Sequence, residues 1–586
     1  MFDYMYRLWF IQNVSKVLIP PIALTLLTVR LARWSYGLFL STPLIIVTCV
    51  ISIPVWGKAK GLICQWDEKR RTREAGCKQP PLLEGKSFGN MDLAARFGHG
   101  NNHDYPGYAF DTLLDEAGGH TAQVNFLGTP MVLTRDPEVV RFITSSGFSE
   151  FHRGESMTLA FRSFFGKGIF MEDGEPAKWL RANARPYFSR NRVSDFEAIS
   201  KNSEKVVALM RGKALTGEPF DVQDIFERFT MDTAGEFLFG DGELNTLNHP
   251  LRLPRSKDTL SVIPKDYGGF VNAYTEGNRR VLERYSFPPL YWTVRDLFHD
   301  QMTAPTEAIA EYLGPLVVKA LELKKQRLVD QEKVVQEVSY LEHLAASTED
   351  IVLIRDQLLN MMLAARDTTA ILLTCICYLL ARHPDVMVKL RTEIIEKYGL
   401  TEAPEYNDMK QLEYLRAVIN ETLRIFPPVT HNLREYKTGG IIPTMDGPLF
   451  IPQKGVKIAW SYSAIHRRKD LWGADAEEFK PQRWLDGRTQ GLQGADACQW
   501  MPFHAGPRIC LGMDLAYNEA SFVLIRILQA FDSFTLAQAE AAPLDCLPPP
   551  EWKKRTGRQA TEEFWPAIGI TMFAKGGMWL RMHIAQ

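Results

Sequence analysis

The sequence predicts a mainly α-helical domain with a minor β-sheet region, preceded by an N-terminal transmembrane helix. Three observations support that class. Segments with apolar residues at three- and four-residue spacing cover most of the chain beyond residue 200. Strand signals are few and short, as in KIAW at 457 to 460. Between Trp34 and Gly57 lie 24 residues without a charge, enough for a helix to cross a hydrocarbon core of about 30 Å.

Composition narrows the function classes. Across 586 residues, 68 Lys and Arg balance 69 Asp and Glu with no basic tail, so the electrostatic footprint of a nucleic-acid binder is missing. The 8 cysteines are too few and scattered for a disulfide framework, and none forms a CxxC pair. Free thiols in a reducing compartment are expected, and one of them is available as a metal ligand.

Trp34, Tyr36 and Trp56 bracket the uncharged run as interfacial aromatics do, and a single retained anchor is expected there. Val17 to Val29 is shorter and holds Pro20 and Pro21, so an interfacial or re-entrant stretch is expected rather than a second span. Lys58, Lys60, Lys69, Arg70, Arg71 and Arg73 follow the run, which puts the long C-terminal part on the cytosolic side, as for an endoplasmic reticulum anchor. Residues 1 to 75 are therefore read as the anchor with its basic flank, and 76 to 95, opening on GCKQPPLLEG, as a Pro/Gly linker on which a globular body pivots. Residues 96 to 586 are read as that globular domain.

Within that domain, helices are expected at 203 to 212, 222 to 239, 306 to 346, 350 to 382, 385 to 397, 408 to 426 and 514 to 532. Strands are expected at 124 to 134, at 457 to 460, and in a hairpin-like 569 to 582 that turns at Gly576 and Gly577. The longest helix opens on a capping-box pattern of Ser347 and Asp350, and Pro384 stops it. In its middle, LAARDTTA at 363 to 370 places Asp367 and Thr368 on an otherwise apolar path, and a buried acid and alcohol need partners. A threonine bonded back to a helix carbonyl is the ordinary use of such a residue; an adjacent acid and alcohol at the centre of a long helix suits a proton relay.

Near the C-terminus, FHAGPRICLG at 503 to 512 surrounds Cys510 with two glycines, an arginine and an aromatic residue. A thiolate can hold heme iron from one side, and such a ligand needs a shielded loop whose glycines let the backbone come close. The segment resembles the FxxGxRxCxG signature of the cytochrome P450 superfamily at Phe503, Gly506, Arg508, Cys510 and Gly512. Upstream, ETLR at 421 to 424 resembles the ExxR pair and FKPQRW at 479 to 484 the segment after it, so the resemblance implies a buried triad of Glu421, Arg424 and Arg483 that braces the cysteine loop. LAARDTT is similar to the superfamily's oxygen-binding pattern, with Ala365 in place of the usual glycine. The order of these motifs agrees as well, and matches at 126 to 137 and 229 to 240 extend the resemblance over most of the chain beyond the linker.

That resemblance implies the cytochrome P450 fold, a heme b whose axial thiolate is Cys510, and proton delivery through Asp367 and Thr368. It places cationic partners for the two propionates at Arg508, at Arg434 after FPPVTHN, and at Arg181 in KWLRANARPYF, with His431 as a further candidate. Trp179 departs from the pattern, because it precedes Arg181 by two residues, and Ala177 stands where the family carries tryptophan. The chain is most similar to the fungal alkane and fatty-acid ω-hydroxylase clan, basidiomycete members included. The implied pocket wall is apolar: Phe161, Phe164 and Phe165 before the first heme helix, Met361 and Ala364 from the long helix, then Val429, Thr430 and Ile570. The same residues fit an ordinary core equally well.

The implied reaction hydroxylates an apolar small molecule with O₂. No dinucleotide-binding segment is present, so electrons are expected from NADPH through a membrane-bound cytochrome P450 reductase. Lys178, Arg181, Arg185, Arg190 and Arg192 offer that partner a basic face, or form a solvated helix face. Aromatic, xenobiotic or secondary-metabolite substrates are the alternative, followed by a reductase-independent isomerase or dehydratase and a heme sensor; the retained acid and alcohol favour the monooxygenase.

Overall fold

A computed structural model describes residues 5–126, 129–188, 197–240, 244–256, 265–286, 289–329, 339–492 and 498–586. The chain opens as two long helices packed together, α1 (Met5–Tyr36) and α2 (Thr42–Ala75). This corrects the expected single span at 34 to 57: Gly37 adopts φ 63°, which ends α1, and Pro43 starts a new helix in the middle of the uncharged run. Pro20 and Pro21 likewise lie inside a continuous α1 rather than breaking it. Each removes one backbone donor, a loss that a 32-residue ladder tolerates, and the Thr25 hydroxyl donates to the Pro21 carbonyl at 2.8 Å. Both helices are long and apolar enough to cross a membrane and are almost wholly unburied.

The segment expected to be a pivoting linker is tied down. Lys78 bridges Leu449, and β1 (Leu82–Leu83) pairs in parallel with β2 (Thr121–Phe126). Next come β3 (Thr129–Thr134), α3 (Pro137–Thr144), β4 (Phe151–His152), α4 (Glu155–Phe165) and α5 (Gly174–Tyr187). A run of helices follows: α6 (Glu197–Thr216), α7 (Val222–Phe239), α8 (Lys265–Ser286), α9 (Pro289–Arg295), α10 (Thr303–Val329) and α11 (Tyr340–Ser347). The helix expected over 306 to 346 is thus two helices, with residues 330 to 338 outside the described set. The longest element of the domain is α12 (Ile351–Arg382), followed by α13 (Pro384–Tyr398) and α14 (Glu413–Ile425).

β5 (His431–Tyr436) and β6 (Val456–Ser461) complete a six-stranded sheet in the order β1-β2-β3-β6-β5-β4. After α15 (Met513–Ala530) the chain ends in β7 (Phe531–Leu536), β8 (Pro566–Ile568), β9 (Met572–Ala574) and β10 (Trp579–Ile584). The hairpin expected to turn at Gly576 and Gly577 is divided between two sheets: β9 pairs with β8, whereas β10 pairs with β7 and with Phe220–Asp221. The Met578 N–H donates to Asp221 Oδ1 at 2.8 Å, which steers the chain away from β9 at those glycines.

α12 holds the domain together. Its cap is Asp350 alone, whose carboxylate accepts from the N–H groups of Val352 and Leu353; Ser347 belongs to α11. Residues Ile354 to Leu363 pack into one hydrophobic cluster with α4, α8 and α10, and Ala370 to Leu380 into another with α14 and α15. Arg366, Asp367, Thr368 and Thr369 occupy the seam between them. Since 78% of its apolar stretch is buried, α12 is a core helix despite a membrane-like composition.

Candidate functional site

The cysteine loop is set between α3 and α15. Gly506 has φ 63°, and a Cβ there would stand 1.8 Å from the Thr144 carbonyl at the end of α3, so only glycine fits. Gly512 has φ −90° and nothing nearer to a built Cβ than Phe188 at 4.0 Å, so its role is openness rather than a special turn. His504 also adopts positive φ, 63°, and its Nδ1 accepts from the Ala505 N–H at 2.7 Å. The Cys510 N–H donates to the Phe503 carbonyl at 2.9 Å, and the Phe503 ring lies 5.2 Å from Tyr517 of α15.

Cys510 itself is exposed. The surrounding protein pushes its thiol up, against the pull of the Gly512 N–H and of the Arg181 guanidinium. A thiol of this kind gives up its proton when a cation binds the sulfur. Cys498 is instead fully buried in an apolar cluster with Thr144 Oγ1 3.9 Å away, and presents no open side.

Beneath the loop, Glu421 and Arg424 on α14 and Arg483 form one buried network, none more than 1% exposed. Arg424 Nη2 and Arg483 Nε both donate to Glu421 Oε1, at 2.8 and 2.9 Å. Trp484 Nε1 reaches Oε2 at 2.9 Å. Burial alone would raise the Glu421 carboxyl, but the two guanidiniums outweigh it and hold the group below the ordinary range. The network continues through Arg424 Nη1 to the His466 carbonyl at 2.8 Å, and His466 Nε2 accepts from the Met501 N–H at 3.1 Å, at the root of the cysteine loop.

Above the loop, the structure gathers arginines. Arg434 on β5 is buried and spends Nη1 on Asn432 Oδ1 and the Leu433 carbonyl. Arg508 reaches Asp173 Oδ1 at 3.0 Å, and Arg181 Nη2 donates to the Ile509 carbonyl at 2.6 Å. Sequence reasoning missed Arg153, which follows β4 and is 6% exposed; its only signal is a basic residue before a positive-φ glycine, Gly154. Burial drives the Arg153 pKa well below its ordinary value, and Arg434 and Arg508 depress it further. Arg434, Arg508 and Arg181 are lowered too, chiefly by burial.

This nest is short of negative charge. Among the described residues, Arg153 Nε and His504 Nε2 are buried without a hydrogen-bond partner, and Asp173 is the carboxylate within reach. Two carboxylates of a heme fit such a site, with the open sulfur of Cys510 beside it. His431 is less suited: burial holds its imidazole at about 4, so it stays neutral, and Nδ1 contacts Thr430 Oγ1 at 3.0 Å.

On α12, Arg366 Nη1 donates to Asp367 Oδ1 at 2.6 Å and Nη2 to Glu227 Oε2 at 3.1 Å. Burial pushes the Asp367 carboxyl up and Arg366 pulls it down, leaving it raised. Thr368 Oγ1 donates to the Ala364 carbonyl at 2.7 Å, the back-bond of an ordinary helix threonine, which leaves its lone pairs free to accept. Glu519 of α15, beside Thr369, is a second buried acid that sequence reasoning passed over, and burial raises it to about 8. Phe161, Phe164, Phe165 and Met361 share one cluster against which Ile570 packs, while Val429 packs against a different one beneath the six-stranded sheet. Ala364 is half-buried and Thr430 buried. Trp179 is 44% exposed on α5 with exposed Lys178 and Arg185, whereas Arg190 and Arg192 lie outside the described residues.

Comparison with known proteins agrees with this geometry. The cytochrome P450 family model matches residues 87–549. Cytochrome P450 52A1 of Candida tropicalis is 35% identical over 432 residues, covering 72% of this chain and 76% of its own. Cytochrome P450 52A6 of the same organism is 32% identical over 505 residues, 81% of this chain and 90% of its own. Cytochrome P450 monooxygenase g430 of a Fusarium species is 33% identical over 477 residues, 79% of this chain and 80% of its own. With the cysteine loop and the buried Glu–Arg–Arg network inside a match that spans most of its length, the chain belongs to the cytochrome P450 family.

Proposed function

We propose that this protein is a membrane-bound monooxygenase that hydroxylates long unbranched chains, alkanes or fatty acids, at or near the terminal carbon. The observation that carries the substrate class is the apolar cluster of Phe161, Phe164, Phe165, Met361 and Ile570 set against the same helix that bears Asp367 and Thr368. Such a wall holds a methylene chain but offers no pattern of donors to fix a polar skeleton.

Heme, when bound, supplies the activation of O₂ that turns RH, O₂, two electrons and two protons into ROH and water, and the electrons come from NADPH through a reductase. The chain's own residues provide the rest. Cys510 Sγ would hold the iron, and Arg153, Arg434, Arg508 and Arg181 would neutralise the propionates. The Asp367 carboxyl, held in place by Arg366, relays protons toward Thr368 Oγ1, whose bond to the Ala364 carbonyl fixes its direction. The apolar wall keeps bulk water from competing with that route. Exposed Lys178 and Arg185 on α5, the helix that Arg181 ties to the cysteine loop, supply the basic face for the reductase.

Each buried CH₂ contributes about 0.8 kcal/mol, so affinity is expected to rise with chain length until the pocket is full. Spin-state titration with fatty acids of increasing length, then product analysis with reductase and NADPH, tests both halves. Affinity that is flat with length, or turnover restricted to fused-ring aromatics, overturns the substrate class.

The two apolar helices anchor the protein in a membrane, and we place it on the cytosolic face of the endoplasmic reticulum, with α1 and α2 as a hairpin whose two feet both rest on the catalytic domain. Tyr6 of α1 donates to the Asp296 carbonyl at 2.8 Å, and Glu68 and Arg71 of α2 bond to Gln453 and the Pro452 carbonyl. Near the first foot, Leu290, Tyr291, Val294 and Phe298 are all exposed, a second apolar surface for lipid.

A further inference from the structure

We propose that Tyr6, at the foot of α1, is a positioning residue for the pocket wall, so that the seating of the membrane hairpin sets how the substrate pocket opens. The proposal rests on the assignment of Phe161 and Phe164 to that pocket.

Tyr6 is 2% exposed at the end of a helix that is otherwise almost wholly unburied. An aromatic residue that served only a membrane anchor would sit among headgroups. This one is taken into the protein. Its ring lies 5.5 Å from Trp292 of α9 and 5.4 Å from the Arg284 guanidinium, which also lies 4.7 Å from Trp292. Leu159 of α4 completes the cluster.

Arg284, on α8, is the hub. Its Nε donates to Asp296 Oδ2 at 2.9 Å, its Nη2 to Asp300 Oδ1 at 2.5 Å, and its Nη1 to Ser163 Oγ on α4. One buried guanidinium therefore links α4, α8 and the segment after α9, and the Tyr6 ring covers it. Removing the ring admits water to an ion-pair network that depends on being dry.

The coupling to the pocket is short. Leu159 and Ser163 are on the same helix as Phe161 and Phe164, so a shift of α4 carries the wall with it. Tyr285, next to Arg284, meets the Phe161 ring edge-on at 5.6 Å. Phe164 is seated against Gly277 of α8, where a Cβ would stand 2.2 Å from its ring. Leu290, Tyr291 and Val294 are exposed on the same α9 that carries Trp292 and packs against α1, so apolar surface for lipid adjoins the foot of α1.

The test uses the full-length, heme-loaded protein in phospholipid nanodiscs, with Tyr6→Ala, Tyr6→Phe and, as a control on exposed α1 surface, Leu8→Ala. Two titrations are read: spin state with a long-chain fatty acid, and the association rate of a bulky azole, which reports access to the heme whatever the natural substrate. Tyr6→Ala is expected to raise the fatty-acid Kd and to speed azole association, each by about fivefold, the low end of coupling between sites. Tyr6→Phe, which keeps the ring, should recover most of both, and Leu8→Ala should match wild type. Membrane retention and the reduced-CO spectrum should not change in any variant. Deuterium exchange should rise in α4 and α9 of Tyr6→Ala and not in α14, a readout that survives poor accumulation of the variant. Wild-type azole rates and wild-type exchange in Tyr6→Ala, or equal effects in Leu8→Ala, overturn the proposal. If the wild-type protein binds the azole but no fatty acid, the substrate class fails, and Tyr6 is judged on the azole and exchange results alone.

Discussion

Thr368 and Arg153 show how differently single residues announce themselves. Thr368 sits beside an acid in the middle of a helix, an arrangement visible from four consecutive letters, and its back-bond to Ala364 fixes the hydroxyl for which we propose a role in proton delivery. Thr368→Ala should keep heme and substrate binding while product per NADPH falls about 10²-fold, the lower end of what a positioned proton donor contributes, with hydrogen peroxide released instead. Full coupling in that variant would return Thr368 to the structural threonines. Arg153 has no motif around it, because its partners Asp173, Arg434 and Arg508 come from elsewhere in the chain and only the fold brings them together. Arg153→Leu should leave the reduced-CO band in place but lose heme to an apoprotein acceptor about tenfold faster, as expected when a charge-assisted contact worth 1.5 to 3 kcal/mol is removed. Unchanged heme loss would make Arg153 a scaffold residue.

Among the elements, those read best from sequence carry their signals locally. α7, α12 and α13 have apolar spacing along their whole length, and the structure puts their ends within about a residue of the expectation. The misreadings share a cause: what ended or paired an element lay outside it. A left-handed Gly37 divided the uncharged run, and Asp221, far away in sequence, drew the last strand into another sheet. The ExxR pair could not be told from a surface pair by its letters; burial of Glu421 and Arg424 distinguishes it. Glu421→Ala strands two buried guanidiniums, so a loss of about 3 to 5 kcal/mol and failure to accumulate heme-loaded protein are expected, measured as heme content per polypeptide. A soluble, heme-replete variant would show that the cysteine loop needs no such brace.

Taken whole, the molecule is a helical domain built around α12 and rooted to an apolar hairpin at two points. Because Leu290, Tyr291, Val294 and Phe298 remain exposed without the hairpin, deleting residues 1 to 75 should release the protein from membranes only in part, read as the fraction that pellets with vesicles. Complete solubility would remove the second lipid contact. Cys510, and no other cysteine, is proposed to hold the heme iron, since its loop leaves the residue exposed beside a nest of cations while Cys498 is sealed in the core. The most direct measurement is the reduced-CO spectrum of Cys510→Ser alongside Cys498→Ser. Loss of the long-wavelength Soret band in Cys510→Ser, with the band kept in Cys498→Ser, is the expected result; an unchanged band in Cys510→Ser would contradict it.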